Sequence, residues 1–365
     1  SGTIGDGWSG IFIENGGGTI ETIDNSGIIS GSDSGIRLNN GGKIESINNT
    51  GTIQGDNNGI YVIARPDYSA TIGNITNDGT IKGNNGIKLD TGIWGGSTTV
   101  DNITNKGTII SEGTNPQGFK DVSGGIVIHT YAQAKTIDNK GLILTKSSGI
   151  GISGSYGNGK IVETINNSGT IQYNGNGTIG NLSESYGQGA GIYMGNVDGI
   201  PKIGTINNSG LINTYNGVYL ALGTQVETIN NSGTIIASKD GIVLGNNNSK
   251  ESLQTRVDNI TNKGTIQAGR YGIFIDVASN PNVPFQIGKI DIDGLVYGGV
   301  AGFYIGENQK LTEDIIVKGT LAGGQAGIIN NGIIGDSKNP DKGGIKLQDG
   351  GLILASNSML SDDTI

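Results

Sequence analysis

Few side chains in this sequence could carry out acid–base or nucleophilic chemistry. Its 365 residues include one His and no Cys, which excludes thiolate nucleophiles, disulfide frameworks and multi-histidine metal centres. His129 follows an apolar run at 125–128, so it is predicted to point outward at a strand end, and no partnered Ser and Asp marks a triad around it. The Gly-Asp-Ser triplet at 335–337 is similar to a serine-hydrolase signature but lies in a polar loop. We interpret both as ordinary surface features.

Paired carboxylates, which glycosidases require, must lie about 5–9.5 Å apart. Asp24, Asp138 and Asp291 take the same position in a sequence repeat, but four and five copies separate them, which corresponds to ~19 and ~24 Å at the spacing of parallel strands. Asp362 and Asp363 are adjacent but lie in a polar tail. The remaining candidates are loop carboxylates: Glu184, Glu251 and Asp276. We therefore expect no enzymatic activity.

The charge balance bears on the possible partners. Lys and Arg number 23 and Asp and Glu 32, so the formal net charge is −9 at pH 7. Such a chain, with only four Arg, is poorly suited to neutralising a run of phosphates, which argues against nucleic acid. No apolar run reaches the ~20 residues of a membrane-spanning helix, and the first residues lack the pattern of a signal peptide. We expect a mature or excised segment without cofactor or metal.

A repeat explains the composition, in which 68 residues are Gly. The motif I-x-N-x-G-x-I occurs at 23–29, 47–53, 75–81 and 103–109. Its glycine recurs, in less regular copies towards the end, at Gly141, Gly169, Gly210, Gly233, Gly264, Gly294 and Gly319, and successive glycines are 23 to 41 residues apart. A second segment, Gly-Ile-x-aliphatic (the Gly-Ile segment), follows the motif, as at 35–38 and 272–275. Each repeat predicts three short strands with alternating side chains and no helix.

Three strands and three bends in about 23 residues describe one coil of a parallel β-helix. We predict an all-β, single-stranded, right-handed parallel β-helix (solenoid) of about 11–13 coils with variable loops. Residues 1–334 are assigned to the repeats, and residues 335–365 to a degenerate last coil and C-terminal tail of the same solenoid. Inward Ile and Val side chains of successive coils should form its core.

The motif asparagine shares the inward direction of the Ile two residues before it, so successive copies should stack at one corner. Each amide can donate to the next coil and satisfy turn groups that would otherwise be buried without partners. The predicted ladder consists of Asn25, Asn49, Asn77, Asn105, Asn139, Asn167, Asn208, Asn231 and Asn262. The Gly two residues later is predicted to adopt a positive φ. Sequons such as the one at 166–168 are glycosylation candidates, but a buried corner argues against that.

A second row of residues is a candidate binding surface. The third residue of the Gly-Ile segment points outward, and half of its twelve occurrences are aromatic, although aromatic residues form 5% of the chain. The aromatic members are Phe12, Tyr61, Tyr193, Tyr219, Phe274 and Tyr304, and Arg37 and Lys88 take the same position. This outward row could stack sugar rings or pack against another β-helix. Alternatively, its members only pair with their neighbours in the sheet.

Long insertions are the other candidate binding elements, because long loops in compact folds are often functional. They comprise residues 65–70, 91–99, 111–123, 173–190, 195–201, 245–256 and 276–285. The loop at 173–190 combines Tyr173 and Tyr186 with Gly, Asn and Ser, a composition typical of recognition surfaces. The alternative is that these loops are polar connections without a partner.

The tandem units I-N-N-S-G-T-I and I-T-N-K-G-T-I with variable loops resemble the β-helical passenger domains of bacterial autotransporters (type V secretion), including vacuolating-cytotoxin-like repeats. The resemblance covers residues 1–334, and the absence of cysteine is consistent with it. It implies a protein that is secreted or displayed at the bacterial cell surface (outer membrane). It also implies a C-terminal outer-membrane barrel of the protein's own, whose strands this sequence lacks.

The residues and the resemblance together lead us to expect a non-enzymatic adhesin. Its expected partner is a host glycan, a host surface or matrix protein, or another copy of itself. One alternative is a toxin-like β-helical domain that engages host cells. A polysaccharide lyase or hydrolase, as on other parallel β-helices, ranks third.

Overall fold

Strands provide all the regular structure in the part of the chain that the computed structural model describes. The described residues are 2–5, 7–14, 18–92, 95–114, 122–154, 160–175, 189–195, 200–221, 223–245, 254–277, 282–335 and 342–355. They contain no helix, hence none that could span a membrane. The chain comprises two compact units, Ser1–Gly204 and Thr205–Ile365.

The strands follow the repeats closely. Up to the end of the first unit they are β1 (Thr3–Ile4), β2 (Ser9–Ile13), β3 (Thr19–Asn25), β4 (Ile28–Gly31), β5 (Ser34–Asn39), β6 (Lys43–Asn49), β7 (Thr52–Gly55), β8 (Asn58–Ile63), β9 (Ser69–Asn77), β10 (Thr80–Gly83), β11 (Asn85–Asp90), β12 (Ser97–Asn105), β13 (Thr108–Ser111), β14 (Gly124–His129), β15 (Gln133–Asn139), β16 (Leu142–Thr145), β17 (Ser148–Ser153), β18 (Val162–Asn167), β19 (Thr170–Tyr173), β20 (Ala190–Gly195) and β21 (Lys202–Asn208). The others are β22 (Leu211–Leu220), β23 (Gln225–Asn231), β24 (Thr234–Leu244), β25 (Arg256–Asn262), β26 (Thr265–Ala268), β27 (Tyr271–Ile275), β28 (Gln286–Ile292), β29 (Leu295–Gly298), β30 (Ala301–Ile305), β31 (Lys310–Leu311), β32 (Ile315–Val317), β33 (Thr320–Gly323), β34 (Ala326–Asn330), β35 (Ile333–Ile334), β36 (Ile345–Leu347) and β37 (Leu352–Ala355).

In the first unit, three strands of each repeat pair in parallel with the same three strands of the next repeat. The strands that end at the motif asparagine pair in the order β3, β6, β9, β12, β15 and β18. Those after the motif glycine pair from β4 through β7, β10, β13 and β16 to β19. The Gly-Ile segments pair from β2 through β5, β8, β11, β14 and β17 to β20. The unit is therefore a parallel β-solenoid, as predicted.

The second unit repeats this arrangement with one variation. Strands β23, β25, β28, β32 and β36 form one parallel series. β22 and β24 are longer, because each runs from the motif into the Gly-Ile segment, and a register shift between Thr214 and Asn216 marks the missing bend. β36 and β37 pair with β32 and β33, so the chain after residue 335 still contributes to the stack. The described residues make about 11 turns in all.

The core of each unit consists of aliphatic side chains in register. Ile47 pairs with Ile75, and Ile53 with Ile81, so that the same side chain meets its equivalent in the next coil. Ile60 also belongs to this core, and all five side chains are at most 1% exposed. Each such Ile contributes roughly 1.5–3 kcal/mol by leaving water.

The predicted asparagine ladder is present at one corner of the coils. Asn49 donates from Nδ2 to Oδ1 of Asn77 at 2.7 Å, and Asn77 donates in the same way to Asn105 at 2.8 Å. The same bond joins Asn25 to Asn49 and continues through Asn139 to Asn167, and in the second unit it runs from Asn208 through Asn231 to Asn262. Each amide also donates to the neighbouring turn carbonyls, as Asn49 does to Thr80. The ladder therefore satisfies polar groups that the solenoid buries.

The prediction of a positive φ at the motif glycine is wrong. None of these glycines is among the described residues with positive φ, which include Gly41 and Gly92. The requirement is instead one of space: a Cβ at Gly79 would overlap the carbonyl oxygen of Gly51 in the preceding coil. Because Gly51 O accepts a hydrogen bond from Thr80 N at 2.8 Å, the two backbones cannot separate without breaking that bond.

Candidate functional site

The six aromatic members of the outward row divide into exposed and buried residues. Phe12 is 42% exposed, and Tyr61, Phe274 and Tyr304 are partly exposed. Tyr193 and Tyr219 are only 3% and 4% exposed, which corrects the expectation that both point into solvent. Alternation along a strand gives the direction of a side chain, whereas its exposure depends on what covers it.

The buried tyrosines lie against the protein's own backbone. The Tyr193 hydroxyl occupies the space that a Cβ of Gly195 would need, and Tyr219 stands in the same relation to Gly245. The Tyr193 ring therefore covers Gly195 at the end of its own strand, and the Tyr219 ring covers Gly245 just after the neighbouring strand β24. Neither ring presents a face to a partner.

In the first unit, Arg37 lies between two aromatic rings. Its Cζ is 4.3 Å from the ring centroid of Trp8 and 4.8 Å from that of Tyr61. Trp8 is 53% exposed and also meets Phe12 edge to face, with centroids 5.8 Å apart. We call Trp8, Arg37 and Tyr61 the N-terminal cluster. Arg37 and Tyr61 are paired residues of β5 and β8, so the coil spacing itself brings them together.

Polar partners hold the guanidinium of Arg37 in place. Nη1 donates to Oδ2 of Asp33 at 2.9 Å, and Nε donates to Oδ1 of Asn39 at 3.0 Å. Asp33 also accepts a hydrogen bond from Ser34. These two bonds restrict the guanidinium of Arg37 to one orientation.

Asp90 forms a second polar centre nearby, at the end of β11. Its carboxylate lies 3.4 Å from Lys88 Nζ and 3.1 Å from His129 Nδ1, and it accepts the backbone amides of Thr91 and Gly92 at 2.8 and 3.1 Å. Burial raises the pKa of Asp90, but the hydrogen bond of His129 and the charges of Lys88 and His129 outweigh burial and hold this pKa well below its usual range. Asp90 is therefore ionised at neutral pH.

His129 is thus not the surface residue that the sequence suggested, since its side chain is only 12% exposed. The hydroxyl of Thr130 lies 2.8 Å from the same Nδ1 that meets Asp90. A nucleophile–His–Asp relay needs the hydroxyl and the carboxylate on opposite ring nitrogens. This trio does not have that arrangement, and we interpret it as a structural network.

The three motif aspartates are each held by a local partner. Asp24 accepts the amide of Asn48 at 2.8 Å, and Asp138 and Asp291 each pair with a Lys two residues away at 2.8 Å. Within the described residues, no group of three or more His, Cys, Asp or Glu could hold a metal ion. Other carboxylate and hydroxyl candidates lie outside the described residues: Glu184, Glu251, Asp336, Ser337, Asp362 and Asp363.

In the second unit, Phe274 and Tyr304 belong to a larger group, the ring cluster, with Arg270 and Tyr271. Tyr271 stacks on Phe274 at a centroid distance of 5.1 Å and on Tyr304 at 4.6 Å. Arg270 Cζ lies 4.9 Å from the Tyr271 ring and 4.7 Å from the Phe274 ring. Burial raises the pKa of Tyr271, so its hydroxyl stays protonated at neutral pH. Sequence reasoning missed Arg270 and Tyr271, which directly precede the Gly-Ile segment.

The loop residues give less information. Tyr173, the last residue of β19, is partly exposed, and burial raises its pKa. Tyr186 lies outside the described residues, as do parts of most of the long insertions. The loop at 65–70 is described in full, and it exposes half of the Tyr68 side chain.

Comparisons with protein-family models, curated proteins and solved structures give no match for this chain. The resemblance to autotransporter passengers therefore stays a prediction that rests on the repeat motif. Over the described residues, the structure shows a parallel β-solenoid that carries the N-terminal cluster in its first unit and the ring cluster in its second.

Proposed function

We propose that this chain is a non-enzymatic adhesin, the secreted or surface-displayed passenger of a bacterial autotransporter. The observation that carries the proposal is the position of Arg37 between Trp8 and Tyr61 on an outer strand surface. Trp, Tyr and Arg are the residues most enriched among those that dominate binding energy at protein interfaces. The solenoid acts as a rigid support that displays them.

The geometry of the N-terminal cluster supports recognition rather than simple sheet pairing. Trp8 is 53% exposed, so part of its ring stays accessible beside Arg37. Asp33 and Asn39 hold Arg37 at two of its nitrogens. A partner would therefore meet a preformed surface of two rings and one oriented cation. That partner is a host glycan, a host protein or another copy of the chain.

The experiment is an adhesion assay with the purified protein. Cultured host cells, immobilised matrix proteins and a glycan array serve as targets, and sedimentation velocity measures self-association. We expect the wild type to bind at least one target or itself, and the double variant Trp8→Ala, Arg37→Ala to bind at least about tenfold more weakly. The variant Tyr68→Ala is the matched control, because it removes an equally exposed ring outside the cluster.

Two results contradict the proposal. The first is a wild type that binds none of these targets and stays monomeric. The second is a polysaccharide lyase or hydrolase activity that stays with the protein through purification. Circular dichroism confirms that each variant retains its strands.

A further inference from the structure

The ring cluster of the second unit carries an inference of its own. Tyr271, Phe274 and Tyr304 are all partly exposed, and their rings pack at 4.6 to 5.2 Å. Phe274 and Tyr304 are register partners on β27 and β30. The cluster is thus a continuous aromatic surface that spans two coils.

A buried carboxylate fixes this surface. Asp240 is 1% exposed and pairs with Arg270 through both carboxylate oxygens: Nε donates to Oδ1 at 2.9 Å, and Nη2 donates to Oδ2. The same Oδ1 accepts the backbone amide of Tyr271 at 3.2 Å. Arg270 is thereby held within 5 Å of the centroids of two rings, and Asp240 balances its charge, so it supports the aromatic surface rather than serving as a receptor for anions.

The described charged groups around the ring cluster balance one another. Arg270 and Lys239 interact with the carboxylates of Asp240 and Asp276, two positive groups against two negative ones. The whole chain carries a formal charge of −9. The charges of these described residues therefore favour neither acidic nor strongly cationic ligands, and the net charge of the chain repels acidic ligands at long range.

The ligand that suits the ring cluster is therefore an amphipathic one. Aromatic faces accept apolar C–H surfaces, while polar groups surround them: the hydroxyls of Tyr271 and Tyr304, and the Asn331 amide, which donates to Tyr304 Oη at 3.1 Å. A neutral pyranose has at least one face of C–H groups and a rim of hydroxyls. The Phe274 and Tyr304 centroids lie 5.2 Å apart with their rings tilted by 47°.

We infer that the ring cluster is a subsite for one or two residues of a neutral oligosaccharide, stacked on Phe274 and Tyr304 with Arg270 and Tyr271 as support. The inference rests on the proposed function, because it names the ligand class of a second adhesive surface. A neutral sugar is favoured over an acidic one by the balance of charge, and self-association of the chain is an outcome that the test distinguishes from it.

The test is calorimetric titration of the whole chain with soluble tetrasaccharides of glucose, galactose, mannose and N-acetylglucosamine, each beside a sialylated or sulfated counterpart. We expect binding of a neutral member, weakened at least about tenfold by Tyr304→Ala and by Phe274→Ala. Tyr304→Phe keeps the stacking ring and removes only the hydroxyl, so it should weaken binding less than Tyr304→Ala does. Tyr68→Ala, in the first unit, should leave it unchanged.

A measurement on the unaltered protein keeps the test decisive if a variant fails to fold. In an NMR saturation-transfer experiment, magnetisation should pass from the aromatic protons of the protein to the C–H protons on one face of the bound sugar. Binding of acidic saccharides alone, or neutral binding that Tyr304→Ala and Phe274→Ala both leave unchanged, would overturn the subsite. Adhesion to a matrix protein or self-association without any saccharide binding would overturn the subsite while the adhesin proposal stands.

Discussion

The side-chain amide of Asn49 donates to Oδ1 of Asn77 at 2.7 Å, one link of a chain that repeats from coil to coil. Asn49 Nδ2 also donates to the carbonyl of Gly51 in its own turn and to that of Thr80 in the next coil. One buried side chain thus connects its own turn to the next coil through three hydrogen bonds. The ladder is a structural device, and its energetic weight can be measured.

Replacing Asn77 with Ala should destabilise the first unit by about 2–4 kcal/mol, because the amide of Asn49 and two turn carbonyls lose a buried partner. The urea midpoint, followed by circular dichroism, checks this value. Asn74→Ala is the matched control on the same strand, since Asn74 is exposed and bonds to Asn102 on the outer surface. Its effect should stay within about 0.5 kcal/mol. Equal effects of the two variants would show that burial of the ladder contributes no stability.

Gly79→Ala should cost more than about 2 kcal/mol, because its Cβ would overlap Gly51 O and push apart two coils. Gly344→Ala is the control, since nothing lies within 4 Å of a Cβ there and its φ is not positive. Thermal melting of both variants tests whether close approach of the coils is what requires the motif glycine. If Gly79→Ala melts like the wild type, close approach of the coils is not what requires glycine.

The lowered pKa of Asp90 predicts that the stability of the protein depends on pH. Its folded pKa lies below the unfolded value of about 3.9, so its stabilisation is complete at neutral pH and is lost as the pH falls below that value. Asp90→Asn should therefore cost about 2–4 kcal/mol at pH 7 and progressively less below about pH 4. Urea titrations at a series of pH values measure the difference between wild type and variant.

The control for Asp90 is Asp78→Asn, which alters an exposed pair with Lys106 at 3.5 Å. Its cost should stay below about 1 kcal/mol at every pH, because solvent and salt screen such pairs. A difference between wild type and Asp90→Asn that does not shrink towards acidic pH would argue against the network of Lys88, Asp90 and His129 described here.

Tyr193→Ala should destabilise the protein by about 3 kcal/mol without altering adhesion, because the ring is buried and presents no face to a partner. Tyr68→Ala, which removes an exposed ring, should change stability by no more than about 0.5 kcal/mol. Denaturant unfolding and the adhesion assay, run on both variants, distinguish a packing residue from a contact residue. Loss of adhesion at unchanged stability in Tyr193→Ala would reverse this assignment.

The candidate surfaces were only partly predictable from the sequence. Arg37 and Tyr61 fall on one position of the repeat, so the coil spacing brings them together. Trp8 and Tyr271 lie outside that position, and their contacts follow from how side chains lean across a coil. Alternation along a strand also could not show that Tyr219 is covered, because its cover comes from residues distant in sequence.

The sequence by itself determined the coils, the aliphatic core and the asparagine ladder, because each repeat meets a near-copy of itself above and below and local alternation decides which side chains point inward. Tertiary structure alone decided which outward side chains are exposed, why the motif glycine is needed, and that Asp90 joins His129. Those outcomes depend on distances between coils and on insertions of unequal length, which no single repeat encodes.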